Sequence, residues 1–183
     1  MRTLSCRLIH LAAVALLSLA AVSPAAALER DPDGFFHTGD GIRIKKIAFV
    51  KIKVYSIDHY MKELPTQKSK EAVVDAEVDK RFVWKMLRNV EAAKIKTALR
   101  EAYANNGFGD AAKVDSFVNA LNRDFKEGDE VTIRFDAAKK ATTLTGPGGT
   151  VTVAGDDFMK ATWRIWLGKI DQPGLGDALI QRL

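Results

Sequence analysis

The stretch from Gly39 to Met61, GDGIRIKKIAFVKIKVYSIDHYM, decides how the rest of the chain is read. Its even positions Ile42, Ile44, Ala48, Val50, Ile52 and Val54 are mostly apolar, while odd positions carry Arg43, Lys45, Lys51, Lys53 and Tyr55. This is the period-2 alternation of a half-buried strand. Strands usually run about 3–10 residues, so the stretch is too long for one. A break near Lys45-Lys46 is expected to divide it into two neighbouring strands. Arg43 and Tyr55 share parity and can point into the same space. Held straight they would lie roughly 40 Å apart at about 3.3 Å per residue, so a joint role requires the chain to turn back.

Upstream, Arg2 and Arg7 precede an apolar run from Leu8 to Val22, and Ser23-Pro24-Ala25-Ala26-Ala27 ends in small residues. That order predicts a secretory leader over residues 1–27, cleaved before Leu28, and a mature protein in the periplasm of a two-membrane bacterium. The run is shorter than the ~20 apolar residues of a membrane span, so no integral membrane association is expected. Cys6, the single cysteine, falls inside the leader, which excludes disulfides, thiolate chemistry and cysteine ligation of metal in the mature chain. The 156 residues from Leu28 to Leu183 suit one domain with its own core. Without Arg2 and Arg7 the formal charge falls from +5 to +3. The excess is spread out, with no basic stripe interleaved with aromatics, so nucleic acid is not an expected partner. Transient attraction to anionic lipid stays open.

Downstream, Leu64 to Lys70 reads as a surface connection, and Val73 to Val78 fits a short helix or a strand equally well. Phe82, Trp84 and Met86 alternate with Val83, Lys85 and Leu87, predicting a strand with a buried aromatic face. From Glu91 the period becomes helical, with Ile95, Ala98, Leu99, Ala102 and Tyr103 on one side, Asn89 near the start as a cap and Gly107 at the end. A second helix carries Val114, Phe117, Val118, Leu121 and Phe125 behind a candidate N-cap at Asp110. After Gly128-Asp129, strands are predicted around Val131–Phe135, Thr142–Thr145 and Val151–Val153, the last two joined by a turn at Gly146–Gly149. Gly155-Asp156 opens a third helix with Phe158, Ala161, Thr162, Ile165 and Trp166, and a last short helix runs from Gly174 to Leu183. The class is therefore α+β: a twisted antiparallel sheet with helices on one face.

Beyond the leader's His10, only His37 and His59 remain as histidines, and no G-x-S-x-G or other nucleophile signature occurs. No metal or cofactor is expected. Trp84, Trp163, Trp166 and Phe158 either line a cleft for an apolar ligand or pack the core. Thr162 and Tyr103 have the same two readings, as polar tips on core-facing helix positions. Arg43, between Ile42 and Ile44, is either a solvated sheet-edge arginine or a half-buried one that needs an anionic partner.

The order Gly39-Asp40-Gly41-Ile42-Arg43, Lys53-Val54-Tyr55, Tyr60, then Phe82–Val90, the helix pair, Gly128-Asp129 and FMKATWRIWLG (Phe158–Gly168) resembles the chalcone isomerase family, especially its bacterial and fatty-acid-binding members. The resemblance implies an open-faced antiparallel sheet with a ligand cleft between sheet and helices. It matches Arg43 to the arginine that contacts ligand oxygens in the isomerases and the carboxylate in the fatty-acid binders. The isomerases' catalytic threonine falls on Tyr55, their helix tyrosine and asparagine fall near Lys94 and Glu101, and their helix threonine or serine falls on Ile165. The resemblance thus implies a non-catalytic binder of a fatty acid or similar small carboxylate, with Arg43, Tyr55, Thr162, Trp166 and Tyr103 as expected ligand contacts. Two alternatives remain. One is an isomerase (intramolecular lyase) acting on a flavonoid-like molecule, with Arg43 and Tyr55 as its catalytic pair. The other is a periplasmic accessory protein that works through a protein partner.

Overall fold

The computed structural model describes residues 28–183; the expected leader lies outside them. Six strands, β1 (Phe36–Ile47), β2 (Val50–Met61), β3 (Lys80–Met86), β4 (Glu130–Asp136), β5 (Ala141–Gly146) and β6 (Gly149–Ala154), form one antiparallel sheet in sequence order. Between and after them come α1 (Lys70–Asp75), α2 (Ala92–Asn105), α3 (Ala111–Asn119), α4 (Asp156–Leu167) and α5 (Pro173–Leu179). The class is α+β, as the alternation of patterns predicts.

Alternation explains which face is covered. Tyr55, Ile57, His59 and Met61 of β2, Phe82, Trp84 and Met86 of β3, and Val131, Ile133 and Phe135 of β4 are buried together with the apolar stripes of α2, α3 and α4. The other face carries Ser56, Asp58, Tyr60, Arg81, Lys85, Thr132, Arg134, Thr143 and Thr152, partly or fully open to solvent. Side chains switch sides at every residue of a strand, so one apolar parity gives one covered face.

The break in the Gly39–Met61 stretch is not at Lys45-Lys46. The chain turns at Ala48-Phe49, with Ile47 paired to Val50, and β1 and β2 form one long hairpin. Ala48 takes φ 52°, the left-handed conformation that two-residue hairpin turns demand and that glycine normally supplies. No turn residue marks the spot, so the charged doublet looks like the break. A bulge lies where Arg43 pairs with Tyr55 but Ile44 pairs with Lys53, leaving Val54 as the extra residue. The bulge flips the parity: Ile52 before it, and Tyr55 and Ile57 after it, face the helix side.

The helix boundaries carry smaller corrections. Residues Val73–Val78 split between α1 and the loop that follows it. Asn89 does not cap α2; Asp124 accepts the Ala92 N–H at 2.9 Å, while Asn89 accepts from the Glu127 N–H. Asp110 caps α3 as expected, accepting the Lys113 N–H at 3.0 Å. The last helix ends at Leu179, short of Leu183.

A buried polar chain ties the layers together. Trp163 Nε1–H donates to His59 Nε2 at 2.9 Å, so the ring proton of His59 sits on Nδ1, 2.6 Å from Thr38 Oγ1. Thr38 in turn donates to Leu179 O at 3.0 Å. Burial, with Lys80 and His37 adding to it, holds His59 well below its usual range, which keeps Nε2 free to accept. Where α5 ends, its carbonyls crowd Gly39: a Cβ there would lie 2.1 Å from Ala178 O, so the close approach of α5 to β1 requires glycine.

Lys80 is also buried. Its Nζ donates to Val73 O and Val74 O at 2.7 and 3.0 Å, satisfying carbonyls at the end of α1, and it lies 4.8 Å from the Trp163 ring. Burial lowers its pKa from 10.5 to about 7; Asp75 and Glu77 oppose the shift and Lys160 adds to it. Between those values the unfolded chain holds a proton that the folded chain has lost, so stability rises with pH across the window from about 7 to 10.5. Urea midpoints should therefore climb on going from neutral to alkaline buffer, and Lys80→Met should flatten that climb.

Candidate functional site

The bulge in β2 and the pairing of Arg43 with Tyr55 set the site. A cleft of about 1480 Å³ opens between the hairpin, the end of β3, α2 and the segment joining α4 to α5. Its apolar wall includes Ile47, Ile52, Val54, Trp84, Ile95, Leu99, Phe125, Ile165 and Trp166. Its volume exceeds the ~300–1,000 Å³ of ordinary small-molecule pockets.

Arg43 and Tyr55 both line it. Tyr55 is buried, and its oxygen accepts the Trp166 Nε1–H at 3.0 Å, which leaves its own proton to be donated. Burial raises its pKa; the Trp166 bond and the Arg43 charge oppose that, and Asp171 adds to it. The phenol is thus a neutral donor at neutral pH and no base. Its ring stacks on Trp84 with centroids 5.0 Å apart. Trp84 also lines the cleft, and its buried Nε1–H has no acceptor among the described residues. A buried donor without a partner costs free energy, so this indole is one more group that an oxygen-bearing ligand would satisfy.

The anionic partner that a half-buried Arg43 needs is Asp171, 2.6 Å from Nη2. Gln172 holds this connection against the sheet edge: Oε1 accepts the Ile44 N–H at 2.8 Å and Arg43 Nη1 at 3.3 Å, and Nε2 donates to Ile42 O at 2.9 Å. Asp171 is half exposed, with 56% of its side chain open to solvent. An ion pair so placed is worth only about 0–1 kcal/mol, so a ligand carboxylate can displace it. Neither residue carries a sequence signal. Both lie in an irregular segment that only folding brings beside β1.

The structure brings Arg43, Tyr55 and Trp166 together and leaves Tyr103 and Thr162 out. Those two are buried away from the cleft lining, with Tyr103 Oη 2.8 Å from Thr162 Oγ1, and Thr162 donates to Phe158 O at 2.8 Å. Desolvation raises the Tyr103 pKa above the usual phenol range. Each satisfies the other inside the helix layer, and neither lines the cleft. Trp163 and Phe158 are core. Lys94, Glu101 and Ile165 all line the cleft.

On the open face, His37, Asp40 and Asp58 bring donor atoms within 4.8 Å of one another, which their sequence spacing does not reveal. His37 Nε2 lies 3.1 Å from Asp58, and Arg182 lies 3.6 Å from Asp40, so the cluster is part of an ion-pair network.

Comparison with known proteins agrees with this architecture. The crystal structure of a fatty-acid binding protein from Arabidopsis thaliana superposes with a TM-score of 0.68 over 86% of this chain and 90% of that one, at 14% identity. At such identity the likeness establishes the fold. No curated protein matches the chain. A family model described as chalcone isomerase-like matches residues 18–176. The chain belongs to the chalcone isomerase-like family.

Proposed function

We propose that this chain is an exported, periplasmic, non-catalytic binder of a fatty acid or similar long-chain carboxylate. The carboxylate sits between Arg43 and Tyr55, and the chain lies along the apolar wall of the cleft. The observation that carries this reading is the cross-strand pairing of Arg43 with Tyr55 at a large apolar cleft. A guanidinium offers a planar fork to both carboxylate oxygens, and the phenol adds a hydrogen bond without adding charge. Support comes from the Arabidopsis fatty-acid binding protein, whose fold this chain shares. Cyclisation of a chalcone requires groups that hold the ketone and the nascent oxyanion and position the attacking phenolate. With Ile165 at one of those positions and charged Lys94 and Glu101 near two others, the lining favours binding without turnover.

Calorimetric titration of palmitate into the mature protein tests this. Saturable binding is expected, and its absence would remove the reading. Two variants refine it. Tyr55→Phe loses one hydrogen bond to a charged acceptor, typically ~1.5–3 kcal/mol, so affinity should drop by roughly 10- to 150-fold. Asp171→Asn removes the competitor for Arg43 and should raise affinity, by about fivefold for a half-exposed pair worth ~1 kcal/mol. Unchanged affinity in Tyr55→Phe would take the phenol out of the site.

A further inference from the structure

The tip of the β1–β2 hairpin is built against the usual rules. Phe49 is 103% exposed, Ile47 59% and Val50 60%, and Ala48 occupies a left-handed position where glycine would sit without strain. Local rules broken without a packing gain point to function. The flanks are basic. From Gly41 to Ile57 the chain carries Arg43, Lys45, Lys46, Lys51 and Lys53 and no acidic residue. Lys46 lies directly opposite Lys51 in the register, and a like-charge pair so placed destabilises a hairpin. Lys46, Lys51 and Lys53 form no ion pair among the described residues; of the four lysines only Lys45 approaches a carboxylate, Asp171 at 3.9 Å. Apolar side chains at the very end of the hairpin, ringed by unpaired cations, match the layering of an anionic bilayer, with acyl chains beneath and phosphates above.

We infer that this hairpin tip docks on anionic phospholipid membranes, with Phe49 and its neighbours in the acyl boundary and the lysines at the headgroups. The location adds a purpose. Ile47, Lys45 and Ile52 belong both to the hairpin and to the cleft lining, so docking would set the cleft mouth on the lipid surface, where a fatty acid could pass between bilayer and cleft without crossing water. This transfer role rests on the cleft binding proposed above; the docking itself does not.

Co-sedimentation of the ligand-free mature protein with vesicles tests it, comparing pure phosphatidylcholine with phosphatidylcholine mixed with phosphatidylglycerol. Binding is expected to the mixed vesicles only and should weaken as salt rises, because exposed charges are screened beyond about 10 Å at 0.1 M. Lys46→Glu with Lys51→Glu should abolish it, since each lysine near the surface accounts for about fivefold. Phe49→Ser should reduce it by at least about tenfold. None of these three residues lines the cleft, so palmitate binding in vesicle-free buffer should be unaltered in both variants. If palmitate does not bind but the vesicles do, the cleft reading fails and docking stands. Vesicle binding that is equal for both lipid mixtures, or unaffected by both variants, overturns the inference. So does a wild type that ignores vesicles and instead forms dimers dispersed by Phe49→Ser, which would assign the tip to a second copy of the chain.

Discussion

Arg43→Ala is expected to weaken binding of a long-chain fatty acid by roughly 30-fold or more while leaving the protein folded. Only 17% of the Arg43 side chain is exposed, and it lines a cleft whose wall is mostly apolar. Truncating one partner of a charged, hydrogen-bonded pair in such a site typically costs about 2–5 kcal/mol, because the remaining charge is left without compensation, and each ~1.4 kcal/mol is tenfold. The fold should tolerate the change. Asp171, which loses its partner, is half exposed and can return to water. Gln172 still holds the Ile44 N–H and Ile42 O, so the loop keeps its anchor. Arg43→Lys restores the charge without the planar fork and should fall between wild type and alanine. Calorimetry gives the affinities, and thermal unfolding of the variants checks that they remain folded.

Trp163→Ala is expected to be the most damaging single truncation in the core, costing about 3–5 kcal/mol of a total that for domains of this kind is roughly 5–15 kcal/mol. Trp163 is fully buried, packs on Phe82 with ring centroids 5.0 Å apart, lies against the Lys80 ammonium and donates to His59. Removing it opens a cavity, strands the His59 acceptor and cuts the chain that runs from α4 through β2 to β1 and α5. Trp163→Phe keeps much of the packing and loses the hydrogen bond, so it should cost less. Urea midpoints read both changes. A Trp163→Ala protein as stable as wild type would mean that the polar chain and its surrounding cluster do not hold α4 to the sheet.

The legible parts of this chain are those written in periodicity. Phe82, Trp84 and Met86 announce a strand buried on one face, and Val131, Ile133 and Phe135 another; both stand where the alternation puts them. The helical stripe of Ile95, Leu99 and Tyr103 is likewise in the core. Arg43 and Tyr55 could be singled out because one sits among apolar strand residues and the other shares its parity. Their meeting depended on where the chain turned. That point was illegible because Ala48-Phe49 contains no turn former, and the Val54 bulge was illegible because a bulge has no residue signature of its own here. The place of Tyr103 and Thr162 was illegible for a different reason: a polar tip on a buried helix position looks the same whether it faces a cleft or a neighbouring hydroxyl. Asp171 and Gln172 were invisible because their partners lie about 130 residues away in sequence.

The central claim is that the cleft recognises a carboxylate through Arg43 and Tyr55, and its most direct test is to titrate palmitate and its methyl ester into a protein spanning residues 28–183 and into its Arg43→Ala variant. The two ligands share the same chain, so any difference between them reports the charged end alone. The acid should bind wild type tightly and the variant weakly, while the ester should bind both weakly and nearly alike. An ester that binds as well as the acid, or an acid whose affinity is unchanged in a folded Arg43→Ala protein, would mean that Arg43 serves only to pair with Asp171 and that no carboxylate site exists.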